Sequence, residues 1–340
     1  MQREKVAYID LMRCVAAIAV VAIHVLGPYR YQISELAAWD WSMAIAINSA
    51  SRWAVPLFIM ISGALLLSDT RPFDLSYYLK RRVGKVVVPF LVWSLFYALL
   101  SGLTKQGWQW ESVVYVLKDA WRSPTYYHLG FFYYFIPLYI VVPWLRYLCQ
   151  QCAPLYWQSL LMAWLLLVSA NLLRLDGVWS QDILFYSGYL LAGYGLYHMI
   201  QTHWWHLRWP FWVVVMMGAI ALTAYQVIVP SLAAERYLVG RWLSYKTLNT
   251  AVIAAAVFVL CQQAYALLSP QVTKVVGEVS RYSLGIYLLH PIVLWPVREW
   301  SLYWGPSVVM IVVWTFVALW GAWWMTRYLA SRARWAWLVP

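Results

Sequence analysis

The sequence predicts an all-α polytopic membrane protein, a bundle of about ten transmembrane helices in a single domain over residues 1–340. The chain is 64% hydrophobic and 11% charged, whereas soluble domains are about half apolar and a quarter charged. Apolar runs of about 17–25 residues recur along it, which is the length a helix needs to cross a bilayer. The modest counts of Gly, Pro and Cys, 16, 15 and 4, exclude a collagen-like repeat, a disordered chain and a disulfide scaffold.

Ten apolar runs are predicted to cross the membrane. At membrane depth they must be helices, because a backbone polar group without a partner in lipid is too costly. The runs cover residues 8–28, 43–67, 86–103, 130–148, 155–173, 183–200, 210–230, 244–267, 282–303 and 307–328.

The net charge of +12 is spread along the chain and forms no basic domain, which argues against a nucleic-acid-binding protein. One alternate set of loops and termini carries 14 Lys and Arg with 4 Asp and Glu, and the other set carries 9 with 8. Because cytoplasmic loops are the more basic ones, the N- and C-termini are both predicted to be cytoplasmic. Two termini on one side require an even number of spans, which agrees with ten.

Ionisable residues inside a span are expensive and are therefore functional candidates. The first run contains Asp10, Arg13 and His24. An 11-residue spacing places Arg13 and His24 on one helix face, about 16 Å apart along the axis. Each has a structural alternative, since Arg13 can reach the interface and His24 can hydrogen-bond a neighbouring helix. Their shared face favours a polar tunnel, with Asp10 as a partner for Arg13.

The second run carries an arginine next to a proline-containing stretch. Pro56 is expected to kink or break this helix, and a cavity or neighbouring protein must then satisfy the freed backbone groups. Arg52 lies on the outer side of the break and needs an anion, either a carboxylate such as Asp10 or a substrate group. Ser62 and Gly63 follow, either at a cavity or as small residues in a helix contact.

A basic segment over residues 80–85 is predicted to be a loop that enters the third run. A signal that orients the protein in the membrane would explain its charge. It also lies on the same predicted side as Arg13, and clustered basic donors suit a phosphate-bearing ligand. The predicted cytoplasmic mouth therefore combines Arg13 with Arg81, Arg82 and Lys85.

Two further histidines stand beside tyrosines at later runs. His128 precedes the fourth run, and Tyr287 and His290 lie three residues apart on one side of the ninth. All three are candidates for the same polar site.

Other metal-binding or redox residue types give no site. His198, His203 and His206 are predicted to be interfacial. Cys149 and Cys152 form a CxxC pair, but no second pair or nearby histidine cluster completes a metal site. No metal is therefore expected.

These residues resemble the acyltransferase-3 membrane proteins, a family with ten core spans that transfers acyl groups, mostly acetyl, from coenzyme A to envelope carbohydrates. The stretch from Asn48 to Gly63 is especially similar to the branch that O-acetylates enterobacterial common antigen. Two positions depart from the family pattern, Cys14 in place of Gly and Gly130 in place of an aromatic residue. The motifs that carry the resemblance are Ile9-Asp10-Leu11-Met12-Arg13 followed by ten residues and His24, Val55-Pro56-Leu57-Phe58 with Ile61-Ser62-Gly63, Lys80-Arg81-Arg82 with Lys85 and Pro89, His128-Leu129, and Tyr287-Leu288-Leu289-His290.

The resemblance implies a multi-pass acyltransferase of the bacterial cytoplasmic membrane. Its donor is expected to be acetyl-CoA and its acceptor an envelope carbohydrate or lipid-linked saccharide. Neutral His is well suited to remove a proton from a sugar hydroxyl near pH 7. The expected roles are catalysis for His24, Asp10 and Arg13, donor binding for Arg13, Arg81, Arg82 and Lys85, and acceptor binding for Arg52, Ser62, His128, Tyr287 and His290.

Two other classes compete with this interpretation. A transporter or flippase for a lipid-linked sugar would also line its path with buried Arg and His, and would use the broken second helix as a gate. A structural or regulatory membrane subunit would not need so many aligned ionisable residues. Aromatic residues on the predicted outer side are candidates to contact an acceptor, namely Trp39, Trp41, Trp108, Trp110 and Trp121.

Overall fold

The fold is an all-α bundle, as the sequence predicts, seen in a computed structural model that describes residues 7–201, 209–303 and 305–340. Six residues used in the sequence argument lie outside the described residues: His203 and His206, and four residues of the charge count, Arg3, Glu4, Lys5 and Arg208.

Within the described residues the chain forms fourteen α-helices and one small hairpin. The hairpin pairs β1 (Leu103–Thr104) with β2 (Gly107–Trp108) in antiparallel fashion. The helices are α1 (Tyr8–Val25), α2 (Ala38–Ser51), α3 (Ala54–Leu66), α4 (Leu75–Arg82), α5 (Val88–Leu100), α6 (Trp110–Asp119), α7 (Gly130–Gln151), α8 (Pro154–Leu172), α9 (Asp182–Gln201), α10 (Trp209–Ala233), α11 (Leu248–Tyr265), α12 (Pro270–Arg281), α13 (Ser283–Glu299) and α14 (Ser307–Ala330).

Every apolar run predicted from the sequence coincides with helix. Eight helical segments of the described chain are long and apolar enough to cross a membrane. The other two predicted runs, 183–200 and 282–303, correspond to α9 and α13, of which α13 has 17 residues. The chain is therefore a multi-pass membrane protein, and the direction in which it crosses stays a prediction.

The expected break in the second run is present. Helix α2 ends at Ser51 and α3 begins at Ala54, with Arg52 and Trp53 in the turn between them. Pro56 lies in the first turn of α3, where its missing N–H leaves no hydrogen bond unmade. The break therefore places Arg52 itself at the junction of the two helices.

The basic segment at residues 80–85 is helical, and the prediction of a loop there was wrong. Helix α4 runs to Arg82, a π-helical turn covers Val83–Val87, and α5 continues from Val88. Pro89 has no N–H to donate four residues back, and the wider π turn comes directly before it. The helical path fixes the directions in which Arg81, Arg82 and Lys85 point.

Helix α1 occupies the centre of the bundle. It contacts α2, α3, α11, α12, α13 and α14. The tightest packing nearby joins α3 to α9, because a Cβ atom on Gly63 would overlap the Leu190 backbone and one on Gly193 would overlap the Met60 backbone. The candidate residues of α1 are thus held between closely packed helices.

Candidate active site

A basic cavity lies around the first turns of α1. It has a volume of about 680 Å³ and opens beside the ends of α4 and α12. The structure brings together here the four predicted donor-binding residues and the predicted Asp10, and it adds two more cations and one more acid. The charged residues of the basic cavity are Arg13, Arg81, Arg82, Lys85, Lys274, Arg281, Asp10 and Glu278.

Asp10 is buried at the inner wall of the basic cavity. Its Oδ1 accepts a hydrogen bond of 2.7 Å from the Ser280 hydroxyl, and Arg13 Nη1 lies 3.7 Å from the same oxygen. The side chain of Arg13 remains 34% exposed. Asp10 therefore holds the Arg13 guanidinium while leaving part of it open to the cavity, which fits a positioning role.

Beyond the cations, the basic cavity continues into an aromatic channel of about 320 Å³. Arg13, Arg81 and Arg82 line both spaces. The channel walls are mainly apolar and include the predicted acceptor residues Ser62 and Tyr287. Other channel residues are Val20, Val55, Phe58, Phe131, Phe132, Phe135 and Tyr139.

The sequence left two alternatives for Ser62 and Gly63, a cavity or a helix contact, and the two residues differ in which they occupy. Ser62 lines the channel, although its hydroxyl donates a hydrogen bond of 3.0 Å to the Phe58 carbonyl in its own helix. Gly63 faces the opposite way, in the close contact with α9. Ser62 thus lines the channel, and Gly63 belongs to the helix packing.

Three histidines converge near the far end of α1. The ring centroids of His24 and His290 are 5.2 Å apart, and those of His128 and His290 are 5.6 Å apart. His128 and His290 are buried, whereas His24 is half-buried. Among the three, His24 is the most exposed.

The two buried histidines support this cluster differently. His290 Nδ1 lies 3.1 Å from the Ile286 carbonyl, so it is the nitrogen that carries the proton. Tyr287 donates a hydrogen bond to the His128 carbonyl. Within the described residues, three ring nitrogens have no hydrogen-bond partner: Nδ1 and Nε2 of His128, and Nε2 of His290. Buried polar atoms of this kind are expensive and are typical of functional sites.

The aromatic channel ends close to the histidine cluster. Val20, which lines the channel, precedes His24 by one helical turn on α1. Tyr287 lines the channel as well and bonds to His128. Arg13 lines the channel, whereas His24, in the last turn of α1, lies one turn beyond Val20 and is not among the channel residues. The channel is mainly apolar where the sequence predicts a polar tunnel, and a path that joins Arg13 to His24 stays a prediction.

Arg52 does not pair with Asp10, contrary to one of the expectations. Its Nη1 donates a hydrogen bond of 3.0 Å to the Tyr245 hydroxyl, and its guanidinium carbon lies 4.7 Å from the centre of that ring. Asp10 is instead engaged by Ser280 and Arg13 at the other end of the bundle. An acceptor role for Arg52 stays a prediction.

Lys274, Arg281 and Arg298 are cations near these sites that were not predicted from the sequence to belong to them. Lys274 and Arg281 are seven residues apart on α12 and therefore share one face, a signal that the sequence does contain. Arg298, at the end of α13, lies 3.8 Å from the centre of the Tyr127 ring and donates a hydrogen bond to the His24 carbonyl. No local sequence pattern predicts that contact, because α1 and α13 are distant in sequence.

With the geometry in place, comparison with known proteins assigns the family. A profile of the acyltransferase domain matches residues 6–327. The chain belongs to the acyltransferase-3 family. The succinoglycan biosynthesis protein ExoH of Rhizobium meliloti is 33% identical to this family member over 107 residues, a match that covers 30% of this chain and 28% of that relative. No solved structure gives a significant match.

The two departures from the acyltransferase-3 pattern have different surroundings. Cys14 is buried and lies near Cys261 of α11. A Cβ atom on Gly130 would lie 3.6 Å from Pro124, an ordinary contact. The structure therefore has room for the Cβ atom of a larger residue at position 130. Membership of the branch that modifies enterobacterial common antigen stays a prediction.

The predicted outer tryptophans are not equivalent in this acyltransferase-3 protein. Trp39, Trp108, Trp110 and Trp121 are exposed. Trp41 is fully buried, and its indole N–H donates a hydrogen bond of 3.2 Å to the Arg30 carbonyl. The prediction that Trp41 is available to an acceptor was wrong, because α2 turns this ring into the core.

Cysteine and metal chemistry gain no support from the part of the chain that the structure describes. Cys149 and Cys152 are free thiols, and no His, Cys, Asp or Glu residues there are grouped as metal ligands. His198 contacts the Ser68 hydroxyl at 3.2 Å.

Proposed function

We propose that this protein is an O-acyltransferase of the bacterial inner membrane, which transfers an acetyl group from acetyl-CoA to a hydroxyl of an envelope carbohydrate or glycolipid. One observation carries the proposal: a basic cavity continues into an aromatic channel that ends one turn from a half-buried histidine. This arrangement suits a long donor with an anionic head, a flexible arm and a reactive group at its tip. Membership of the acyltransferase-3 family supports the reaction type.

The basic cavity suits the phosphates of coenzyme A. Six cations face two acids there, and guanidinium groups match phosphate oxygens as paired donors. Arg13, Arg81, Arg82 and Lys85 are the proposed donor ligands, with Lys274 and Arg281 at the rim. The aromatic channel would bind the pantetheine arm. The distance from Arg13 to His24 along the helix axis, about 16 Å, is comparable with the length of that arm when it is extended.

His24 is the proposed general base. One ring nitrogen takes the proton of the acceptor hydroxyl, and the hydroxyl oxygen attacks the thioester carbonyl carbon. A C–O bond forms and the C–S bond breaks. The proton then passes to the leaving sulfur, so that the products are an acetyl ester and coenzyme A.

The neighbours of His24 would hold its ring in position for this step. His290 stacks on it, and Arg298 holds the backbone carbonyl of the same residue. His128, whose ring nitrogens lack partners within the described residues, is the proposed group to meet the developing oxyanion or the acceptor. Tyr287 fixes the backbone of His128 through its hydrogen bond.

A carbohydrate acceptor is supported by the relative in Rhizobium meliloti, which is named for succinoglycan biosynthesis. The exposed Trp39, Trp108, Trp110 and Trp121 offer aromatic faces of the kind that sugars contact. Arg52, at the break between α2 and α3, is a further proposed acceptor contact.

The proposal is tested with purified protein, acetyl-CoA labelled in the acetyl group and an envelope glycan fraction. The expected result is label in the glycan as an alkali-labile ester, with release of free coenzyme A in equal amount. Mass spectrometry of envelope glycans from cells with and without the protein should show one acetyl mass lost and its sugar position. Transport of the glycan without transfer of label would instead favour a flippase.

A further inference from the structure

Two arginines converge at the predicted outer end of α1, beside His24. A side chain on Gly27 would begin 3.4 Å from Arg298 Nη2 and 3.5 Å from Arg30 Nη2, so both guanidiniums reach the same small volume. Gly27 follows His24 by three residues, and both arginines are close enough to act electrostatically on the His24 ring. The pair, called the outer arginine pair below, stands at the opposite end of α1 from the basic cavity.

Capping of a helix end accounts for only part of this arrangement. Arg298 Nη2 donates to the His24 carbonyl, and Arg30 Nε donates to the Gly27 carbonyl at 3.2 Å. Such bonds satisfy carbonyls that a helix leaves unpaired at its C-terminus. The hydroxyls of Tyr303 and Tyr237 are further hydrogen-bond neighbours of Arg298 and Arg30. A guanidinium has five N–H donors, however, and Arg298 Nε is buried with no partner among the described residues. Donors therefore remain for another acceptor atom.

Acidic residues do not neutralise the outer arginine pair. Neither arginine forms an ion pair in the part of the chain that the structure describes. The acids nearest in sequence are engaged elsewhere: Asp40 with the start of α14, Glu299 with the β1–β2 turn and Glu35 within its own turn. Two like charges held together at low dielectric repel each other, and an anion between them would remove that cost.

The geometry points to a binding site for an anionic group of the acyl acceptor, either a sugar carboxylate or the phosphate of a lipid-linked saccharide. Both groups accept paired hydrogen bonds from guanidinium. The Tyr127 ring, 3.8 Å from the Arg298 guanidinium carbon, holds one member of the pair in place. An anion bound there places the rest of the acceptor beside His24. The assignment to the acceptor rests on the proposed function, whereas anion binding itself does not.

Anion binding is tested by thermal unfolding of the full-length protein in detergent. Sodium glucuronate and inorganic phosphate are titrated at constant ionic strength, with glucose as the neutral probe. We expect one or both anions to raise the Tm of the wild type and glucose to leave it unchanged. Arg30→Gln and Arg298→Gln should each weaken anion binding at least tenfold. Both variants keep the basic cavity, so the difference from wild type reports the outer site alone.

Two further variants keep this test decisive. Arg236→Gln removes an exposed arginine from another loop on the predicted outer side and should bind like wild type. Gly27→Asp keeps both arginines and adds a carboxylate beside them, at a position whose φ of −46° is open to all residues and where the new Cβ begins 3.3 Å from the His24 carbonyl oxygen. It should remove the same part of the anion-induced rise in Tm that Arg30→Gln removes, while the basic cavity keeps its own anion binding. The site is disproved if neither anion stabilises the wild type more than glucose, or if Arg30→Gln and Gly27→Asp bind anions as the wild type does.

A transfer assay decides whether the anion belongs to the acceptor. Envelope glycan is used untreated, with its carboxylates converted to neutral methylamides, or after mild-acid release from lipid phosphate. Removing the group that the pair recognises should raise the acceptor KM of the wild type at least tenfold and should not affect Arg30→Gln. Equal KM values for all three preparations would overturn the acceptor role. If no preparation is acetylated, the proposed function fails, and the unfolding assay still decides the anion site.

Discussion

Replacing Arg13 by glutamine tests how the basic cavity binds its ligand. Arg13 lines both the basic cavity and the aromatic channel and is one-third exposed to them. A hydrogen bond to a charged group contributes about 1.5–3 kcal/mol, and each 1.4 kcal/mol is a factor of about ten in affinity. Arg13→Gln should therefore raise the Kd for coenzyme A by about tenfold to a hundredfold. The fold should persist, because Asp10 keeps its 2.7 Å hydrogen bond from Ser280.

The affinity is measured by calorimetric titration of purified protein with coenzyme A at fixed salt. Arg13→Lys should fall between the wild type and Arg13→Gln, because lysine keeps the charge and loses the paired donors. Arg327→Gln is the matched control, since this exposed arginine lies at the end of α14 and outside both spaces. An unchanged Kd in folded Arg13→Gln would refute the assignment, and equal weakening by Arg327→Gln would reduce it to general electrostatic attraction.

Three smaller predictions follow from other contacts. Lys274→Gln, at the exposed rim of the basic cavity, should weaken coenzyme A binding less than about fivefold, and the effect should shrink as salt is added in a titration series. Gly193→Ala should destabilise the fold by about 1–3 kcal/mol through overpacking against α3 and so lower the Tm. Gly218→Ala, with open space around it, should stabilise the fold by about 0.5–1 kcal/mol and raise the Tm. A similar Tm for both variants would contradict the close contact. Arg241 holds the pKa of Asp176 below its usual value. This ion pair therefore stabilises the fold at neutral pH, and the stabilisation is lost as the pH falls through that lowered pKa. The difference in Tm between the wild type and Asp176→Asn should disappear on acidification.

The helices were predictable from the sequence because their cause is local. Apolar length alone identifies every run, and the spacing of Arg13 and His24 is a property of one helix. The π turn before Pro89 was missed because the charges at residues 80–85 have the composition of a loop. Composition does not show that a continuous helix can carry charges at the membrane edge.

The convergence of the site was predictable only in part. The candidates His24, His128 and His290 follow from the rule that ionisable groups inside a membrane are functional, yet their mutual contacts depend on how three helices pack. Arg298 was counted only as a loop charge, since nothing near it in sequence shows that it meets α1. The prediction for Trp41 was wrong for the same reason, because the helices packed against α2 determine which of its faces is buried.

The central claim is that His24 removes the acceptor proton while the donor binds at the other end of α1. The most direct measurement compares wild type and His24→Ala for transfer of labelled acetyl from acetyl-CoA to envelope glycan, with coenzyme A affinity measured on the same preparations. A lost general base lowers the rate about 10²–10⁴-fold, and we predict a loss of that size with an unchanged Kd for coenzyme A. Transfer by His24→Ala at the wild-type rate would contradict the account.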